Sequence, residues 1–324
     1  MSDNSVATPV IAKPAGVSRI LLDTDIAKDV DDVGALATLH ALADLGEAEI
    51  LAILVSCANP HSAPCASAIN EWYGRGDIPL GVVKGKAVLD PSQYAEQVAT
   101  ELPGPLKSQD HAEDAVRVAR RVLAAEDDGA VTLVTIGFMT NLARLLDSGP
   151  DDISPLDGRT LVTRKICHWI CMGGGFPEGH EFNFRQDPGA AFQTINQWPT
   201  PITFFGVELG FELLTGAALA QTPANSPVRR AYEHFYDGTA QDRYSWDQAT
   251  VLYAVRGLKG QLDGYWRESE PGRILLQPDG TNTWQSDPAG RHRYLKPGRM
   301  EPEEISEVIE QLMVKAPVMQ EIMP

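Results

Sequence analysis

The sequence predicts an α/β protein: an open, mostly parallel sheet flanked by helices, with a hairpin near its C-terminal end. Three observations lead there. From Arg19 onward, short apolar runs alternate with segments of helical length and pattern. No internal repeat and no linker-like stretch interrupts residues 19–324, so 18–324 is expected to form a single domain. At 43% hydrophobic over 324 residues, the chain has enough apolar material for one large core.

Residues 1–17 are small, polar and punctuated by proline, and are expected to be a disordered leader. RILLD (19–23) reads as a strand, VGALATLHALADLG (33–46) as a helix and EILAILVS (49–56) as a second strand. HSAPCASAINEWYGR (61–75) has a helical pattern, IPLGVV (78–83) reads as a strand, and 110–126 as a charged helix. VTLVTIG (131–137) and KICHWICM (165–172) read as buried strands, with a helix around 141–147 between them. DPGAAFQTINQ (187–197) leads to another strand, ITFFGV (202–207). Segments 88–109 and 176–186, rich in Gly, Pro and charge, are expected to be loops over the strand ends. Residues 272–296 read as a hairpin around Asp279-Gly280. The last helix, 302–315, opens with Pro302 and two glutamates, which suit a helix start.

Composition narrows the partners. The formal charge of −17, from 44 acidic and 27 basic residues, repels a phosphate backbone and argues against nucleic acid. The N-terminus lacks a basic start followed by an apolar core, and no apolar run is long enough to span a bilayer. Neither a signal peptide nor a membrane partner is therefore expected. Cys57, Cys65, Cys167 and Cys171 lie in apolar segments, as reduced, buried thiols of a cytoplasmic protein would. The Cys167–Cys171 spacing matches no zinc pattern.

The stretch LLDTDIAKDVDDVGAL (21–36) carries the chemistry. It places five aspartates, Asp23, Asp25, Asp29, Asp31 and Asp32, within ten residues where a buried strand turns into a helix. In a parallel sheet that turn is the carboxyl end of the strand, where ligands bind. Asp23 and Asp25 are two apart, so an extended chain points them the same way. Carboxylates packed so closely repel unless a cation neutralises them, and oxygen donors without Cys or His favour calcium or magnesium. Capping of a helix N-terminus accounts for one or two of the five, but not for the pair on the strand.

Two families begin in a comparable way. Asp23-Thr24-Asp25-Ile26 half fits phosphatases of the haloacid dehalogenase type, but Ala27 stands where they carry Thr or Val. Those magnesium enzymes also need a later lysine and a further acidic pair at strand ends, and the acids here are placed elsewhere. The nucleoside hydrolases begin Asp-x-Asp-Pro-Gly-x-Asp-Asp before a helix of small apolar residues. Asp23-Thr24-Asp25 and Asp31-Asp32-Val33-Gly34-Ala35-Leu36 resemble the two ends of that motif, with Ile26-Ala27 in place of Pro-Gly and two extra residues between. Further segments follow in the family's order: Ser56-Cys57-Ala58-Asn59, VTLVTIGFMTNLA (131–143), MGGG (172–175) with EFNFRQDPGAA (181–191), and SWDQATVLYAV (245–255). The resemblance covers about residues 19–258.

The resemblance implies a Rossmann-like fold and calcium-dependent hydrolysis of the N-glycosidic bond of a small-molecule nucleoside or riboside. It implies Asp25 as general base and metal ligand, Asp32 as a ligand through both oxygens, and Asp247 as a ligand to metal and a ribose hydroxyl. The carbonyl of Ile136 would complete the metal set. Asp31 and Asn59 would hold the 2′-hydroxyl side, Asn183 the 3′-hydroxyl and Glu181 the 5′ side, with Met172 and Phe182 packing on the sugar. Either Asp29 or Asp31 fills the third aspartate's role, and the direct join to Asp32 favours Asp31. Trp246 stands where inosine–uridine enzymes commonly carry His, and resembles the purine-preferring branch, in which an indole stacks on the base. The loop FPEGH (176–180) is shorter than in nucleoside-cleaving relatives. It leaves Glu178 or His180 to serve the 5′-hydroxyl, or the 5′ position open to a larger group. Relatives are commonly homo-oligomers, dimers or tetramers. The altered Pro-Gly turn and the missing His leave one further alternative, a non-catalytic calcium- and ribosyl-binding homologue.

Overall fold

Buried apolar runs become the central strands, and their alternation decides which face each residue takes. In the computed structural model, residues 16–257 and 264–318 are described. Of the expected leader, 1–15 lie outside the described residues. The first strand, β1 (Ser18–Thr24), sends Ile20 and Leu22 into one hydrophobic cluster and Leu21 into another. A sheet covered on both faces needs that division.

Beside β1 lie β2 (Ala48–Val55), β3 (Leu80–Val82) and β4 (Glu113–Asp114) in one direction, and β5 (Val131–Thr135) and β6 (Ile166–Met172) in the other. After a short β7 (Glu178–Gly179), β8 (Ile202–Phe205) continues the sheet beyond β6. A two-stranded ribbon, β9 (Leu214–Thr215) with β10 (Arg243–Tyr244), stands apart. Four later strands are β11 (Trp266–Glu268), β12 (Gly272–Leu276), β13 (Asn282–Ser286) and β14 (His292–Pro297). The order across the sheet is β4-β3-β2-β1-β5-β6-β8-β14-β12-β13-β7, with β11 on β14. Pairing is parallel from β4 through β14 and antiparallel beyond it.

Helices α1 (Asp31–Asp44), α2 (Ser62–Trp72) and α3 (Ala95–Glu101) contribute to one hydrophobic cluster. The opposite cluster takes α4 (Ala115–Ala125), α5 (Thr140–Asp147) and α6 (Gly158–Lys165). The short α7 (Phe182–Gln186) leads into α8 (Pro188–Gln197), and α9 (Val207–Gly210) follows β8. Then α10 (Pro227–Phe235), α11 (Trp246–Arg256) and α12 (Pro302–Met313) pack on the face of α1. No helix among the described residues is long and apolar enough to cross a membrane.

The open, mostly parallel α/β sheet matches expectation, and several local readings change. The charged helix begins at Ala115 rather than 110, because Asp114 caps it by accepting from the Val116 amide at 2.7 Å. The expected loop 88–109 contains α3, and 176–186 contains β7 and α7. The hairpin turns near Gly280 (φ +89°), but residues 292–296 leave it. They belong to β14, which runs parallel to β8 and joins the hairpin to the main sheet. Of the cysteines, Cys57, Cys65 and Cys171 are buried thiols and Cys167 is half-buried.

Candidate metal and active site

Chain direction reverses its march across the sheet between β1 and β5, so their carboxyl ends open a crevice. Two backbone links hold that end together: the Ile136 amide donates to the Asp23 carbonyl at 2.8 Å, and the Ser56 amide to the Thr24 carbonyl at 2.9 Å. Gly137 makes the approach possible, since a Cβ there would lie 2.4 Å from the Asp25 nitrogen. β1 stops at Thr24, and the chain turns through Ile26 with φ at +33°, a rare and strained conformation for a buried β-branched residue. That turn aims the Ile26 amide at the Asp32 carboxylate.

Asp31 and Asp32 open α1, and Asp247 stands in the first turn of α11. Carboxylate oxygens of these three lie within 4.8 Å of one another, and all three are buried. Asp25 adds a fourth buried carboxylate beside Asp32. Two helix N-termini thus face the cluster and favour negative charge there, but not enough to offset burial and repulsion. Burial, then Asp32, raises Asp25 well above the usual carboxylate range. Burial, then Asp29, does the same to Asp31, and burial, then Asp31, to Asp247. Burial also lifts Asp32, to about 6, with the Thr24 hydroxyl and the Ile26 amide holding it down. Four buried carboxylates, without a lysine or arginine in a salt bridge to them among the described residues, fit a hard divalent cation.

Asp29 takes another part. Its carboxylate accepts from Nε of Arg243 at 2.9 and 3.2 Å, and its carbonyl from the Tyr94 hydroxyl at 2.7 Å. With Asp29 neutralised by Arg243, Asp31 is the aspartate that joins Asp32 and Asp247. Asp23 does not point with Asp25. It is fully buried, accepts from Asn141 Nδ2 at 2.8 Å, and lies outside the cavity lining. The period-two argument fails because the strand ends between them.

Above the cluster opens a cavity of about 670 Å³, whose lining includes Ile136, Met172, Glu181, Phe182, Asn183 and Trp246. Asn183 Nδ2 sits 3.4 Å from the Ile136 carbonyl and 3.5 Å from Met172 Sδ. Glu181 caps α7, accepting from the amides of Asn183 at 2.7 Å and Phe184 at 3.1 Å, and from Gly174 at 3.4 Å. Burial raises it to about 7 against those amides. The Trp246 indole donates to the Val207 carbonyl at 2.8 Å, which fixes the ring at the wall beside Phe211.

Three anticipated residues lie elsewhere. Asn59 is buried outside the cavity lining, its amide donating to the Asp90 carbonyl at 2.9 Å and its oxygen accepting from the His61 amide at 3.0 Å. Glu178 sits on β7 against β13, and His180 lies 3.3 Å from the Asp279 carbonyl. Neither lines the cavity, so neither takes the place of a 5′ asparagine. Conversely, Lys28, Ser92, Gln93, Phe235 and Arg243 line it and were not singled out from sequence. Only Lys28 left a trace there, as the single cation among the five aspartates.

The model of the inosine–uridine preferring nucleoside hydrolases matches residues 20–283. The chain belongs to that family. It is 27% identical over 215 residues to an uncharacterised protein of Schizosaccharomyces pombe, covering 61% of this chain and 64% of that one. It is 29% identical over 194 residues to the pyrimidine-specific ribonucleoside hydrolase RihA of an Enterobacter species, covering 51% and 58%. The chain thus spans about three fifths of the length of these relatives. Among solved structures, the purine-preferring ribonucleoside hydrolase from Gardnerella vaginalis superposes with a TM-score of 0.66 at 18% identity, covering 91% and 98%. The type III effector XopQ, complexed with adenosine diphosphate ribose, does so at 0.66 and 17%, covering 95% of each chain. At these identities the two superpositions establish the fold that nucleoside hydrolases share with this chain.

Proposed function

We propose that the protein hydrolyses the N-glycosidic bond of a ribonucleoside, purines before pyrimidines, in a calcium-dependent reaction. The observation that carries this reading is the convergence of Asp25, Asp31, Asp32 and Asp247 beneath a cavity lined by Glu181, Asn183 and Trp246. Asp25, Asp32, Asp247 and the Ile136 carbonyl would hold the ion. A divalent ion bound there supplies charge that lowers the pKa of a water and gathers the vicinal hydroxyls of the ribose.

The chain's own groups do the rest. Asp25 accepts a proton from water, whose oxygen bonds to C1′ as the C1′–N bond breaks. The bonding pair leaves with the base, whose nitrogen takes a proton from solvent water, and Asp25 returns its own proton to solvent. The buried carboxylates stabilise the positive charge that the ribosyl group develops, as in glycoside hydrolysis. Asp31 holds the 2′ side, Asn183 the 3′-hydroxyl and Glu181 the 5′ side, with Met172 and Phe182 against the sugar. Trp246 stacks on the base, and a purine offers that indole the larger face. This reading includes a cytoplasmic homo-oligomer, dimer or tetramer, which light scattering of the purified protein measures.

Release of reducing sugar from inosine and uridine tests the reading. Release is expected with calcium, is lost in chelator, and returns with calcium better than with magnesium, with inosine ahead in kcat/KM. Calcium binding without release from any nucleoside would make the protein a non-catalytic ribosyl binder. Faster release from uridine would remove the purine preference and the role given to Trp246.

A further inference from the structure

The side of the cavity assigned to the ribose 5′ position is edged by positive charge. The Lys28 ammonium stands 5.0 Å from the Phe182 ring centroid, and the Arg185 guanidinium lies 5.7 Å from the same centroid. Both side chains are exposed, and Lys28 lines the cavity. Among the described residues neither forms a salt bridge. Asp90 feels Lys28, and Glu181 feels Arg185, from beyond ion-pair reach. In a chain of net charge −17, two cations beside one pocket ring that take part in no ion pair among the described residues call for an explanation.

The loop after β6 leaves this side open. Phe176 stacks on Tyr294 with centroids 4.5 Å apart, and its amide donates to Glu208 at 3.2 Å. β7 then pairs with β13, which carries Glu178 and His180 away from the cavity. A 5′ substituent larger than a hydroxyl meets no side chain from that loop. The way out past Phe182 runs by the two exposed cations on that ring.

We infer that the site takes ribosides bearing a phosphoryl group on the 5′ oxygen, with Lys28 and Arg185 as its counter-charges. The inference rests on the reading that Glu181 holds the 5′ side of the ribose and Phe182, the next residue, packs against the sugar. A phosphomonoester carries between one and two negative charges at neutral pH and accepts charge-assisted hydrogen bonds from lysine and arginine. Such an anion needs local cations, because four carboxylates and one divalent ion leave the floor of the cavity negative. Lys28 and Arg185 supply them at the rim, where exposure lets both side chains turn from the ring to the ligand. A nucleoside monophosphate and the first phosphate of a diphosphate present the same group.

The test compares kcat/KM for inosine, inosine 5′-monophosphate and inosine 5′-diphosphate at fixed free calcium, in the wild type and in Lys28→Gln/Arg185→Gln. The ratio of phosphorylated to unphosphorylated substrate is expected to fall at least tenfold in the double variant. Lys28→Arg/Arg185→Lys should retain it. A smaller fall with both phosphorylated substrates in the first variant overturns the inference. A fall with the diphosphate alone assigns the site to diphosphate-linked ribosides, and a fall with both assigns it to the shared phosphoryl. If no substrate is cleaved, the hydrolase reading fails separately. Calorimetric affinities for ribose 5-phosphate and ribose, in calcium-loaded protein, then supply the same ratio with the same tenfold criterion. Both positions are exposed, so the melting temperature should stay within a degree or two.

Discussion

Asp25 follows the last residue of β1, so the strand's hydrogen bonds fix its backbone while its side chain reaches the cavity. Replacing one carboxylate oxygen by an amide keeps the shape and removes the proton acceptor. Asp25→Asn is therefore expected to lower turnover about 10²–10⁴-fold, the usual worth of a general base, measured at saturating calcium. Ribose affinity should persist in equilibrium binding. A near wild-type rate would make Asp25 structural and move the base to Asp31. Residue types and spacing made Asp25, Asp31 and Asp32 legible as members of a carboxylate cluster that needs a shared cation, whereas Asp247 was legible only through the resemblance of SWDQATVLYAV (245–255) to the family's late segment. Spacing did not show that Arg243, more than two hundred residues away, neutralises Asp29, or that Asp90 occupies the Asn59 amide. Such partners are chosen by tertiary packing, which leaves no local pattern.

Elements were legible in proportion to how much apolar side chain they bury. The runs read as strands at 49–56 and 165–172 appear as Ala48–Val55 and Ile166–Met172, within a residue at each end. Two-residue strands such as β7 and β10 escaped, since each exists only through pairing with a distant segment. Where two elements meet at the site, one position is decisive. A methyl group at Gly137 would sit 2.4 Å from the Asp25 nitrogen and 2.8 Å from both Ser56 Oγ and the Thr24 carbonyl carbon. Gly137→Ala must therefore part the ends of β1 and β5, moving Asp25 relative to the Ile136 carbonyl. The expected result is a loss of about 1–3 kcal/mol of stability, typical of overpacking, together with weaker calcium binding. Denaturant unfolding and calcium titration measure both. Gly149→Ala, with open space around its would-be Cβ, serves as the control. Unchanged calcium affinity in Gly137→Ala would show that the strand ends tolerate separation without loss of the ion.

Across the whole molecule, the acidic cluster ties stability to pH and to metal together. A carboxyl whose pKa is higher folded than unfolded binds more protons in the folded state, so stability falls as pH rises through the interval between the two values. Among the described residues seven buried carboxyls behave this way: Asp23 and Glu181 at about 7, Asp32 at about 6, Asp25, Asp31 and Asp247 well above their ordinary value near 3.8, and Asp90 above it. Burial is the leading cause in each. Two histidines, the buried His40 and the half-buried His292, oppose them, because burial lowers both to about 4 and they gain stability as pH rises from 4 to 6.5. Each proton is worth about 1.4 kcal/mol per pH unit, so seven against two leaves a net loss of stability with rising pH. In chelator, the melting temperature is therefore expected to fall between pH 5 and pH 7. Calcium binds the deprotonated cluster and stabilises the folded state by mass action, so its increment in melting temperature should grow across the same interval. Thermal unfolding at constant ionic strength, with chelator and with calcium, reads both slopes. A melting temperature in chelator that rises from pH 5 to pH 7 would mean that these carboxyls ionise at ordinary values. The four would then be neutralised or hydrated without a metal, and the physical case for a cation at this site would be lost.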